Sequence, residues 1–159
     1  MRAYADSSFM VKLISREAGS DAAQAEYRRK NHPPLFFIPL HAIEVENAIL
    51  HRAFFERQSL PARQRAAINR EKNAALARLN WMKERGSFVE NTADWDEAVE
   101  HARALAAQHA ERLGVRTIDL LHVAFALDLG AECFFTTDGR QADLAKAVGL
   151  AVISIADDD

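Results

Sequence analysis

The sequence predicts an α/β fold around a mostly parallel, five-stranded sheet, and two observations carry that expectation. Short apolar runs alternate with longer amphipathic segments, which is the rhythm of βαβ units. The 159 residues, 49% hydrophobic and 27% charged, suit one domain with a sizeable core and exclude a disordered tail or a coiled coil.

The strands are expected at residues 2–5, 36–39, 88–90, 133–136 and 151–155, each too short to be a helix. Met10, Leu13 and Ile14 share one face of a first helix, and residues 21–30 form a second, more polar one. His32-Pro33-Pro34 ends it, because a residue before proline is pushed out of the helical region. Residues 40–55 are apolar on several sides, which predicts a buried helix, and residues 61–83 form another, opened by Pro61. A further helix spans 94–113, Leu120, Val123, Ala124 and Leu127 form the stripe of the next, and 141–148 end at Gly149. The domain is expected over 1–156, with Asp157, Asp158 and Asp159 as a solvated acidic tail.

Composition narrows the function classes. A single cysteine, Cys133, excludes an internal disulfide and a thiolate zinc site. No apolar run approaches the roughly 18 residues that cross a bilayer, and the N-terminus lacks a signal-peptide core, so a soluble, cytoplasmic protein is expected, with no membrane partner. The formal charge of -3 argues against indiscriminate coating of nucleic acid, but it is a sum of opposed regions. Residues 51–85 carry nine basic against three acidic side chains, which leaves -9 on the rest.

Ligands of open α/β sheets bind beyond the carboxyl ends of the strands. Asp6 follows the first predicted strand, Glu44 lies early in the helix after the second, and Asp138 follows the fourth. Asp119 opens the helix in RTIDLLHVAFAL. Each has a plainer reading: Asp6 as a helix N-cap, Asp119 as a first-turn acid favoured by the helix dipole, Asp138-Gly139 as a turn. Glu44 is harder to dismiss, since Val45, Ala48 and Ile49 surround it with an apolar face and no basic residue lies one turn away. Clustered carboxylates repel unless a cation neutralises them, and hard divalent ions favour oxygen ligands. Such an ion suits phosphodiester hydrolysis.

At these residues the sequence resembles the PIN-domain family, and within it the VapC-type toxins of bacterial toxin–antitoxin pairs. The resemblance rests on YADSSF with Asp6 and Ser8, HAIEVENA with Glu44, TIDLLHVAFAL with Asp119, and FFTTDGRQADLA with Thr136 and Asp138, in order across nearly the whole chain. It implies a three-layer α/β/α arrangement and an endoribonuclease dependent on Mg2+ or Mn2+. Asp6, Glu44, Asp119 and Asp138 would surround the metal as catalytic and ligating residues, with Ser8 and Thr136 as supporting donors. It also implies an RNA substrate, a cognate antitoxin protein and a homodimer.

Neighbouring residues have bland readings as well. Asn47, three after Glu44, is placed to orient that carboxylate. His41 reads as structural or supporting, and an oxygen-rich site has no need of His122. Trp81 and Trp95 read as packing groups, Cys133 as core, and Asp94 and Asp96 as helix caps. Arg63, Arg65 and Arg70 either bind RNA phosphates or dress an exposed helix. The competing functional class is a non-catalytic PIN scaffold that binds RNA or a protein partner; the presence of all four acidic positions argues against it. A phosphoacceptor receiver domain is excluded, since the third predicted strand ends Glu90-Asn91 and no lysine follows the fifth.

Overall fold

In the computed structural model, which describes residues 1–155, five strands form one wholly parallel sheet in the order β3-β2-β1-β4-β5. These are β1 (Ala3–Ala5), β2 (Leu35–Phe37), β3 (Phe88–Glu90), β4 (Cys133–Thr136) and β5 (Ala151–Ser154). The register sets Ala3 against Leu35 on one side and Cys133 on the other, and Ala5 against Phe135. Alternation across the pleat divides the strands between two cores. Ala3, Ala5, Leu35, Phe37, Phe88, Cys133 and Phe135 point to one, and Tyr4 and Phe134 to the other.

The helices α1 (Ser7–Ile14), α2 (Ser20–Arg29), α3 (Pro39–Ser59) and α4 (Arg65–Glu84) close the first core. The helices α5 (Trp95–Leu105), the short α6 (Glu111–Leu113), α7 (Thr117–Asp128) and α8 (Gly139–Ala147) lie over the second. This is the expected three-layer arrangement. From central β1 the chain builds outward through β2 and β3, then returns to the other side of β1 for β4 and β5. The strand order therefore reverses between β1 and β4, and ligands of open α/β sheets bind beyond the carboxyl ends at such a reversal.

Several boundaries differ from expectation. Pro39 opens α3 instead of closing β2, because its missing N–H costs nothing in a first helical turn. The second helix stops at Arg29, before the prolines, and Asn31 and His32 follow at φ 61° and 50°. Pro61 precedes a 3-10 turn (Ala62–Gln64), and α4 begins only at Arg65. The expected 94–113 helix is interrupted by a π-helical stretch, Ala106–Ala110. Most consequential is α3, which is not buried: Leu40, His41, Val45, Ile49 and Ala53 face the core, whereas Ile43, Leu50, Phe54 and Phe55 are each half exposed or more. Residue 156 and the acidic triplet 157–159 lie outside the described residues.

Candidate metal centre at the carboxyl edge of the sheet

Asp6 leaves β1 directly and caps α1, its Oδ1 accepting the Phe9 N–H at 2.7 Å. Ser8 donates to the same oxygen at 2.7 Å, and Thr136, at the end of β4, donates to Oδ2 at 2.5 Å. The plain cap reading and the functional one thus hold together. Asp6 is only 3% exposed. Burial raises its pKa, although the bonds from Thr136, Phe9 and Ser8 and the charge of His122 all pull the other way. No lysine or arginine pairs with it among the described residues.

Thr136 links Asp6 to Asp138, whose N–H donates to the threonine oxygen at 2.9 Å. Asp138 caps α8 through the N–H groups of Arg140 and Gln141, with the Arg140 guanidinium 3.5 Å from its free oxygen. Glu44 is half-buried beside α1, where its Oε2 accepts from Ser7 Oγ and His122 Nε2, both at 2.7 Å. Burial pushes its pKa up, but the hydrogen bond and charge of His122, with Ser7, bring it below the usual value. The partner expected of a metal is thus supplied in part by a histidine from α7, 78 residues away in sequence.

Tyr4, Ser7 and His122 are the residues the sequence undervalued, whereas His41 has the structural role expected of it. His122 Nδ1 lies 2.9 Å from the hydroxyl of the fully buried Tyr4. Burial, followed by the charges of Glu44 and Asp6, raises the Tyr4 pKa well above its ordinary value. His41 accepts the Ile38 N–H on Nδ1 and donates from Nε2 to Ala5 O, so it is the neutral Nε2–H tautomer. Burial first, then His122, whose ring stacks 5.2 Å away, depresses its pKa. The available signal was position: His41 and His122 each sit three residues from a candidate carboxylate on a helix of an α/β fold.

Asp119 is 7% exposed, one turn before His122, and its Oδ2 accepts the Arg116 N–H at 2.8 Å. Asn47 is exposed and makes no bond to Glu44 among the described residues. Arg63, Arg65 and Arg70 are exposed at the start of α4 and its preceding turn, remote in the chain from these acids. Hydrogen bonds connect Asp6 with Asp138, and electrostatics connect Asp6 with Glu44 through His122. No three of the four acids bring ligand oxygens within 4.8 Å of one another. Among the described residues that spacing occurs only at Glu97, His101 and Asp128, exposed between α5 and α7. The four acids thus do not form a closed ligand set by themselves, and a hard cation among such oxygen donors would keep part of its water shell.

A family model for the PIN domain matches residues 3–147. The chain belongs to the PIN-domain family. It is also 31% identical over 155 residues to "Ribonuclease VapC46" of Mycobacterium tuberculosis (strain ATCC 25618 / H37Rv), with 95% of each chain covered. In this PIN domain Asp6 and Thr136 meet at the reversal of strand order, between β1 and β4. Among the described residues, no helix is long and apolar enough to cross a membrane.

Proposed function

We propose that this PIN domain is a Mg2+- or Mn2+-dependent endoribonuclease, the toxin of a toxin–antitoxin pair, working in the cytoplasm. The observation that carries the reading is Asp6: a buried carboxylate, fixed by three donors and without a lysine or arginine partner among the described residues, at the ligand edge of the sheet. Similarity to a protein named as a VapC ribonuclease supports the choice of RNA.

Asp6, Glu44, Asp119 and Asp138 would hold the cation, and their oxygen donors fit a hard divalent ion. Bound there, the ion would acidify and orient a water and offset charge developing on the scissile phosphate. Thr136 and Ser8 fix both oxygens of Asp6, and Ser7 and His122 fix Glu44, so the carboxylates need little reorganisation. Arg63, Arg65 and Arg70 would attract the RNA backbone. The exposed apolar ridge of α3 would serve homodimer formation, and a cognate antitoxin would obstruct the site.

Purified protein is expected to cut RNA with Mg2+ or Mn2+ and to stop in EDTA, and expression is expected to arrest bacterial growth. Asp6→Asn and Asp119→Ala should each abolish cleavage and growth arrest. Activity surviving both substitutions would remove the site assignment, and calorimetry showing no divalent-ion binding would favour a non-catalytic scaffold.

A further inference from the structure

A groove of about 1080 Å³ runs between α1, α2 and α4, at the opposite edge of the sheet from Asp6. Its position follows from the topology. Ser15 and Arg16 come off the end of α1, His32 lies in the turn entering β2, and Arg85 and Ser87 lie in the turn entering β3. It exceeds the about 1,000 Å³ upper range of small-molecule sites and lies open to solvent, as the track of a polymer does.

Its charge is one-sided. Arg16, Arg28 and Arg85 are exposed, and none pairs with a carboxylate among the described residues. Of the two groove acids, Glu17 is engaged by Arg52 at 3.2 Å and Lys12 at 3.8 Å, which leaves Asp21 against three arginines. Trp81 is 49% exposed, contrary to its expected packing role, with the Arg85 guanidinium 4.2 Å over its ring. An indole face beside unpaired guanidinium groups suits a base next to its phosphate.

The groove adjoins a cleft that reaches Glu44. This second cleft, of about 400 Å³ and lined by Ser7, Ser8, Glu44 and Arg52, shares Ser15 and Glu17 with the groove. The eight residues of α1, about 12 Å at 1.5 Å per residue, bridge the two. We propose that this groove is a second RNA subsite that holds a single-stranded flank of the substrate, with a base on Trp81 and phosphates on Arg16, Arg28 and Arg85. The inference rests on the ribonuclease reading for its ligand. The adjoining cleft at Glu44 and the exposed Trp81 ring favour RNA over an acidic protein segment.

The test uses full-length protein carrying Asp6→Asn, to prevent cutting, and Trp95→Phe, which leaves Trp81 as the only indole. A mixed-sequence single-stranded RNA of about 16 nucleotides is titrated while indole fluorescence is followed. Saturable quenching is expected. Reversal of Arg16, Arg28 and Arg85 to Glu should weaken binding at least tenfold, roughly, and flatten the logarithmic salt dependence by about 2, since each phosphate contact contributes about 0.7 for single strands. Trp81→Ala, followed by labelled RNA, should weaken binding about tenfold. Circular dichroism melts confirm that these exposed substitutions leave the fold intact. Absent quenching, or unchanged affinity after the triple reversal, overturns the subsite and leaves the groove to a protein partner. RNA held in the groove by a wild-type protein that never cuts would refute the nuclease reading alone; cutting with an undisturbed Trp81 would refute the subsite alone.

Discussion

At the level of single residues, Asp6 and Glu44 are tuned in opposite directions. The Asp6 pKa is raised by burial, so its folded-state contribution is most favourable below the ordinary carboxylate range and is lost as pH rises through the folded pKa. Asp6→Asn keeps the cap through its amide oxygen and removes the buried charge, with its amide N–H donating to Thr136 Oγ1 in place of the bond the threonine donates to the carboxylate. It should therefore melt higher than wild type near neutral pH without added metal, with the gap closing as pH falls below 4, roughly the unfolded carboxylate range. Glu44, whose pKa is lowered, contributes stability above its unfolded pKa and loses it as pH falls through the folded one. Glu44→Gln should accordingly melt lower at neutral pH, again converging in acid; a shift of the opposite sign in either variant, read by pH-dependent melts, would contradict the site electrostatics. His122→Ala leaves Glu44 and the buried Tyr4 hydroxyl without their shared partner and should cost about 1–3 kcal/mol in urea unfolding, part of it recovered by Tyr4→Phe. The places of the carboxylates, after β1 and β4 and on α3 and α7, were legible in the sequence through turn position and helix phase. The Tyr4–His122–Glu44 chain was not, since residues 4, 44 and 122 meet only once the topology of the sheet is known.

At the level of elements, the alternation of short apolar runs and amphipathic segments located every strand to within two residues at each end, because three- and four-residue strands of a parallel sheet leave few apolar alternatives. The error at β2 arose where Pro39 is compatible with both a strand end and a first helical turn. The error at α3 has a different origin: apolar residues around a helix record that something covers them, and within one chain the core takes only one face. Ile43, Leu50 and Phe54 fall at spacings of seven and four, a single ridge along α3, and all are exposed. If that ridge is the homodimer surface, Leu50→Lys with Phe54→Lys should leave the melting temperature of the isolated fold little changed and convert the dimer to a monomer in light scattering. A dimer that persists in the double variant would place the interface elsewhere.

For the whole molecule, a basic surplus runs from α3 through α4 and adds to the arginines of the groove, whereas Asp6, Glu44, Asp119 and Asp138 lie on elements at the carboxyl ends of the strands. Some of the basic groups are satisfied, since Arg52 is held by Glu56 and Glu17, Lys83 by Glu90, and Arg78 by the Ile14 carbonyl. The acidic edge has fewer such partners, and a cation that binds the folded state alone must then stabilise the entire domain by mass action. At a concentration 100-fold above its dissociation constant the gain is about 2.7 kcal/mol. For a chain of this size each kcal/mol moves the midpoint by about 2–4 °C. Thermal unfolding with saturating Mg2+ or Mn2+ should therefore rise by about 5–10 °C over the EDTA value, and the same titration should leave Asp6→Asn nearly unmoved. The comparison separates the Asp6 centre from the exposed Glu97, His101 and Asp128 group, since a metal held there would raise both proteins alike. An equal shift in wild type and variant would assign the stabilising ion to that second group and remove the carboxylate edge as the metal centre.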